Sequence, residues 1–270
     1  DSFFLELLAV LQIEETLKTG KETRATSCLV KYYRWHIPEG EVENEISALE
    51  TELSDANAQN RKRFNRIDKE KKLQCLKDAI KEERILPSVQ KQYVTIMEPA
   101  KRSLWLEFGS QRFVGVDVDS VRNLCRTLAE QIKQLHTLEL VHGDIKPRNI
   151  LRTARDEIIL CDLDSSCSLG EEIQSEPGLL KCSEAYACPE IARYKFKCVE
   201  ETPISSKQQD IWSFGVVLYE LCTGQHLFAQ DINDDNMVHV DDKRRLCTWH
   251  TIDDPTLSLV FARVSRAKRQ

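Results

Sequence analysis

The 270-residue chain is 41% hydrophobic and 30% charged, long enough to bury one large core or two lobes. Its formal net charge of −6 argues against a nucleic-acid binder, which carries a basic footprint, and no apolar run approaches the length of a membrane span. The ten cysteines are scattered without a CxxC pair, so neither a zinc site nor a dithiol motif is expected.

The opening "FFLELLAVLQI" lacks a basic leader and a small-residue cleavage site and reads as core. Reduced thiols and a cytoplasmic or nuclear location follow as expectations. Residues 1–35 read as strands joined by turns: "ATSCLVKYYRW" is rich in β-branched and aromatic residues, and "KTGKE" ahead of it is a turn signal. "PEGEVENEISALETEL" reads as a helix, with Pro38 near its start and Val42, Ile46, Leu49 and Leu53 on one face. Residues 57–84 are strongly charged with a narrow apolar stripe, the pattern of a second amphipathic helix. "YVTIM" (93–97) is a short strand ending at Glu98-Pro99.

From Val118 to Leu138, apolar residues at three- and four-residue spacing (Val121, Leu124, Cys125, Leu128, Ile132, Leu135) predict a helix. A Pro-broken loop follows, "HGDIKPRNIL" (142–151), which concentrates Asp144, Lys146 and Asn149 beside the apolar pair Leu140-Val141. "EIILCDLD" (157–164) is a strand leading to two aspartates. "DIWSFGVVLYELCTG" (210–224) is apolar nearly all round, as suits an interior helix, and "DINDDNMVHVDD" reads as an acidic loop. A strand-rich first third thus precedes a mainly helical remainder.

In this order the motifs resemble the protein-kinase family. "HGDIKPRNIL" is similar to the catalytic loop and "CDLDSS" (161–166) stands at the Asp-Phe-Gly position. "SEAYACPE" (183–190) resembles the end of the activation segment, and "DIWSFGVVLYELCTG" the buried helix whose leading Asp210 braces the catalytic loop. The resemblance implies an α+β, two-lobed kinase-like fold: a small β-rich N-lobe over 1–98, with a helical insertion at about 57–84, and a larger helical C-lobe over 99–270, shortened at its C-terminus. It implies a serine/threonine protein kinase using ATP and Mg2+, with Asp144 as base and Lys146 on the γ-phosphate. Asn149 and Asp162 would hold the metal. Lys31 in "CLVKYY" fits the strand lysine on the phosphates and Glu45 in "VENEISALE" its helix partner, with Glu50 and Glu70 as alternatives. Met97, Glu98 and Ala100 in "TIMEPA" fit the hinge that meets adenine. The implied partner is a protein bearing Ser or Thr, since Lys146 and Ser183 together point to those hydroxyls; no nucleic acid and no membrane are expected, and 57–84 offers a face for a protein partner.

Departures from the family pattern lead to a rival reading, a kinase-shaped binding module. Residues 1–19 contain no glycine, although the family places a glycine-rich loop ahead of the strand lysine. Glu14 and Glu15 are expected near where phosphates would sit, and carboxylates there repel a triphosphate. Gly143 replaces the loop arginine that pairs with an activation-segment phosphate, which implies a segment that needs no phosphorylation. Leu163-Asp164 replace Phe-Gly, and Glu190 has only Arg263 and Arg266 as candidate partners.

Overall fold

In the computed structural model, the described residues are 2–18, 32–54, 63–88, 93–110, 114, 117–173, 176, 180–251, 258 and 260. The chain divides into two compact units, Asp1–Pro99 and Ala100–Gln270.

The first unit opens with a helix, α1 (Ser2–Lys18). This corrects the expectation of strands over 1–35 as far as residue 18. Phe4, Leu7, Leu8, Ala9, Val10, Leu11 and Ile13 are all buried, so the apolar surface runs round the element, and the segment has no period-2 alternation to hold it as a half-buried strand. A continuous apolar run is compatible with either state, and length decides for the helix. Glu14 therefore lies on a helix, in an ion pair with Arg84, not in a phosphate-covering loop. Residues 19–31, including Lys31, lie outside the described residues.

β1 (Tyr32–Ile37) keeps the C-terminal part of the expected strand. It is central in a three-stranded sheet, parallel to β2 (Ile85–Pro87) with Trp35 opposite Ile85, and antiparallel to β3 (Val94–Met97). Between them run α2 (Glu41–Ser54) and α3 (Arg63–Lys81). On α2, Val42 and Leu49 are buried and Ile46 and Leu53 half-buried, the face expected. The charged α3 is built into the core of this unit: it packs on α1 and α2 and buries Cys75, Leu76 and Ala79. Beyond it, Arg84 stacks over Trp35 at 4.9 Å while it pairs with Glu14, and Tyr32 donates to Glu6 Oε1 at 2.6 Å.

The second unit begins with β4 (Arg102–Ser103) and α4 (Leu104–Ser110). α5 (Val118–Thr137) follows the predicted stripe, burying Val121, Leu124, Cys125, Leu128, Ile132 and Leu135, and Asp117 caps it by accepting from the Asp119 and Ser120 amides. β6 (Ile150–Arg152) pairs with β4 and with β7 (Ile158–Leu160), and β5 (Leu140–Val141) pairs with β8 (Cys167–Ser168). α6 (Pro189–Lys195), α7 (Lys207–Thr223) and α8 (Val240–Cys247) complete it. α7 buries one face, through Ser213, Val216, Val217, Glu220 and Leu221, while Ile211 is 58% exposed, so the all-round burial expected of its apolar sequence is corrected; it stops at Gly224, whose φ of +68° supplies the left-handed cap. The α+β class, with a sheet in the first unit and a mainly helical second unit, is as the sequence implied, although α1–α3 outweigh the three strands of the first unit. Among the described residues, no helix is long and apolar enough to cross a membrane.

Candidate active site

The site is assembled from the second unit around a buried carboxylate. Asp210, in the first turn of α7, is fully buried. Its Oδ2 accepts the His142 amide at 2.9 Å and His136 Nε2–H at 2.7 Å, and its Oδ1 accepts the Gly143 amide at 3.0 Å. Two consecutive loop amides are thus fixed from below, which sets the direction in which Asp144 leaves the chain. His142 is fully buried and donates from Nε2 to the Cys161 carbonyl at 3.1 Å, tying the loop to the strand end that carries Asp162.

Gly143 is dictated by this geometry. Its φ is +79°, and a Cβ there would stand 2.4 Å from the Ser165 carbonyl oxygen. Only glycine takes that backbone conformation without strain and leaves room for the approach. The residue that breaks the sequence pattern is therefore the contact between the catalytic-type loop and the turn after Asp162.

On this frame sit the polar side chains. Asp144, 7% exposed, accepts the Ser183 amide at Oδ1 (3.0 Å). Its Oδ2 meets Lys146 Nζ at 3.0 Å and Asn149 Nδ2 at 3.2 Å. Asn149 also donates to the Asp144 carbonyl at 3.0 Å. Lys146 donates to Ser183 Oγ at 2.7 Å. Burial works against the Lys146 charge, but Asp144, then Asp235 and Asp162, outweigh it and hold the ammonium above the usual lysine range. Asp162 stands at φ +68°, followed by the fully buried Leu163. Asp164 pairs with Lys181 at 3.2 Å.

With its Nδ2 bonded to Asp144, Asn149 offers its amide oxygen as a metal donor, which the family pattern pairs with the Asp162 carboxylate. Oxygen donors of this kind suit a hard divalent cation such as Mg2+, so the residues fit the metal that the family pattern implies.

One member of the cluster was not legible in the sequence. Asp235, 1% exposed with φ +58°, lies 3.6 Å from Lys146 Nζ and accepts from Arg148 Nε at 3.1 Å. It comes from the stretch read as an acidic loop, and nothing in that run of aspartates distinguishes it. The run is anchored by the buried Met237, whose amide donates to Glu184 at 3.2 Å. Arg148 in turn stacks over Trp105 at 4.4 Å.

Asp144, Lys146, Asn149 and Ser183 are thus in direct contact, with Asp162 close enough to act on the Lys146 charge. Of the remaining candidates, Lys31 lies outside the described residues, Glu45 is half-buried on α2, Met97 ends β3 with Glu98 after it, and Ala100 opens the second unit exposed. Glu190 is exposed in the first turn of α6, and Arg263 and Arg266 lie outside the described residues.

A family model described as "Protein kinase domain" matches residues 48–265, most of the chain and all of the cluster just described. The chain belongs to the protein kinase family. The match begins inside α2, so Lys31 and Glu45 fall outside it, whereas α3 and residues 225–265 fall within. Among curated relatives, this kinase-family chain is 35% identical over 128 residues to rat "Dual specificity tyrosine-phosphorylation-regulated kinase 3", covering 47% of this chain and 20% of that protein. It is 35% identical over 119 residues to the human "Phosphorylase b kinase gamma catalytic chain, liver/testis isoform", covering 43% of this chain and 27% of that protein. Those aligned segments are thus only a small part of either relative's own length.

Proposed function

We propose that this chain is an ATP- and magnesium-dependent serine/threonine protein kinase. The observation that carries the reading is the Asp144–Lys146–Asn149–Ser183 network on a loop backbone held by Asp210. Asp144 Oδ1 carries a single hydrogen bond, from the Ser183 amide, and its remaining lone pair is the acceptor for the proton of the attacking hydroxyl. Lys146, kept charged by its carboxylates, faces the transferring phosphoryl group, where phosphoryl transfer gains most from fixed positive charge. Ser183 holds both groups in register with a segment suited to docking a peptide hydroxyl. Bound through Asn149 and Asp162, magnesium supplies charge neutralisation on the phosphates. Lys31, Glu45, Met97, Glu98 and Ala100 are the residues proposed for the nucleotide.

The test is transfer of the γ-phosphate of radiolabelled ATP to a Ser/Thr-containing protein substrate. Transfer that is abolished by Asp144→Asn in a protein of unchanged melting temperature supports the reading; transfer that survives the substitution refutes it.

A second reading, a kinase-shaped binding module, is favoured by one observation. Residues 2–18, free of glycine, form a helix, burying Phe4, Leu7, Leu8, Leu11 and Ile13, rather than glycine-bearing strands. Thermal shift separates the two. Stabilisation by ATP and magnesium that is lost in Asp162→Asn supports the kinase, and an unmoved melting temperature supports the binding module, with α3 as a face for a protein partner.

A further inference from the structure

α6 and α8 pack against each other, and each ends near a cysteine. Cys198 lies just past α6, held by its amide donating to the Arg193 carbonyl at 2.8 Å. Cys247 is the last residue of α8, and its carbonyl accepts Arg193 Nε–H at 2.7 Å. A second tie comes from Lys243 of α8, which pairs with Glu184 at 2.8 Å and sits over the Phe196 ring at 5.1 Å. Between these ties the two sulfurs stand 3.7 Å apart. Both are free thiols, Cys198 exposed and Cys247 half-buried.

We infer that Cys198 and Cys247 form a reversible intramolecular disulfide when the protein meets a low-molecular-weight disulfide such as oxidised glutathione. The sulfurs must close from 3.7 Å to about 2.05 Å, a movement within reach of side-chain rotation. Helix ends fixed by the Arg193 and Lys243 contacts keep the thiols together, so the bond completes an arrangement that already exists. The exposed Cys198 is the point of attack. Its thiolate displaces one glutathione thiolate and becomes a mixed disulfide. Cys247, giving its proton to solvent, then attacks Cys198 Sγ and expels the second glutathione thiolate. Two protein thiols are oxidised and one glutathione disulfide is reduced to two thiols. Burial, and then the neighbouring Cys198, push the Cys247 thiol up to about 11, so the second step quickens as pH rises.

The bond would tie the helix that follows the Ser183–Pro189 segment to α8, closing a loop between residues 49 apart in sequence. Constraining the unfolded chain in this way raises the melting temperature by roughly 5–10 °C. The buried cysteines serve as an internal comparison. Cys125 is pushed up to about 12 by burial, with Cys222 nearby, and should react later.

The experiment equilibrates the full chain in glutathione redox buffers, quenches with acid, alkylates free thiols and maps peptides by mass spectrometry. The expected result is a Cys198–Cys247 cross-linked peptide that appears at less oxidising ratios than any other protein disulfide. It should vanish with dithiothreitol and in Cys198→Ser. The inference is overturned if Cys198 stops at the glutathione mixed disulfide, pairs with a second molecule, or stays alkylatable while Cys125 oxidises. The wild-type map alone decides among these outcomes, so a failure of Cys198→Ser to fold leaves the test intact. None of them depends on phosphoryl transfer.

Discussion

Replacing Asp210 with Ala removes three hydrogen-bond acceptances at once. The donors left behind are the His142 and Gly143 amides and His136 Nε2–H, at 2.9, 3.0 and 2.7 Å in the native structure. Asp210 and His142 are fully buried, so water reaches these donors poorly. A buried donor left unpaired costs about 1–3 kcal/mol. Three of them amount to roughly 3–9 kcal/mol, a large fraction of a typical stability of about 5–15 kcal/mol. The cost is local, so hydrogen exchange is the direct assay. Amides of the peptide spanning 140–145 should exchange roughly 10²–10⁶-fold faster, since each 1.4 kcal/mol or so is a factor of ten. The urea midpoint should fall with it. Asp210→Asn, which keeps one acceptor oxygen, should lose about half as much. A loss below about 1 kcal/mol in Asp210→Ala, with unchanged exchange over 140–145, would refute the view that this carboxylate holds the loop.

Gly143→Ala should destabilise by roughly 2–4 kcal/mol, combining left-handed strain with the clash against Ser165; a denaturant midpoint equal to wild type contradicts the close approach. Leu76→Ala, at a fully buried position of α3, should cost about 2–5 kcal/mol in the first unit. A change below about 0.5 kcal/mol on urea unfolding would show that α3 is a solvated appendage. The third concerns pH. Hydrogen bonding to Glu220 raises the His226 pKa, and burial raises that of Glu220 itself. Both groups then bind protons more tightly folded than unfolded. Their contribution to stability is therefore greatest at low pH and falls as pH rises, for His226 above its ordinary value of about 6.5. Melting temperatures measured between about pH 6 and 8 should decline, and His226→Gln should flatten that slope.

The residue types and their order were enough for the family. Asp144, Lys146, Asn149 and Asp162 stand at the family's spacing along the chain, and the apolar stripe on α5 has a period that reads directly. Other features needed the fold. The opening apolar run is chemically compatible with a strand or a buried helix, and only its packing in α1 distinguishes them; Glu14 moved from a supposed phosphate loop to an ion pair with Arg84 for the same reason.

What the sequence determined by itself is the local pattern: secondary-structure period, turn chemistry, and the motif that names a family. Tertiary structure decided the contacts between distant segments. It brought Asp235 to Lys146 across a run of otherwise equivalent aspartates, set the Ser165 carbonyl where a side chain at 143 would stand, and placed Cys198 beside Cys247. These are pairings between residues far apart in the chain, and no periodicity encodes them.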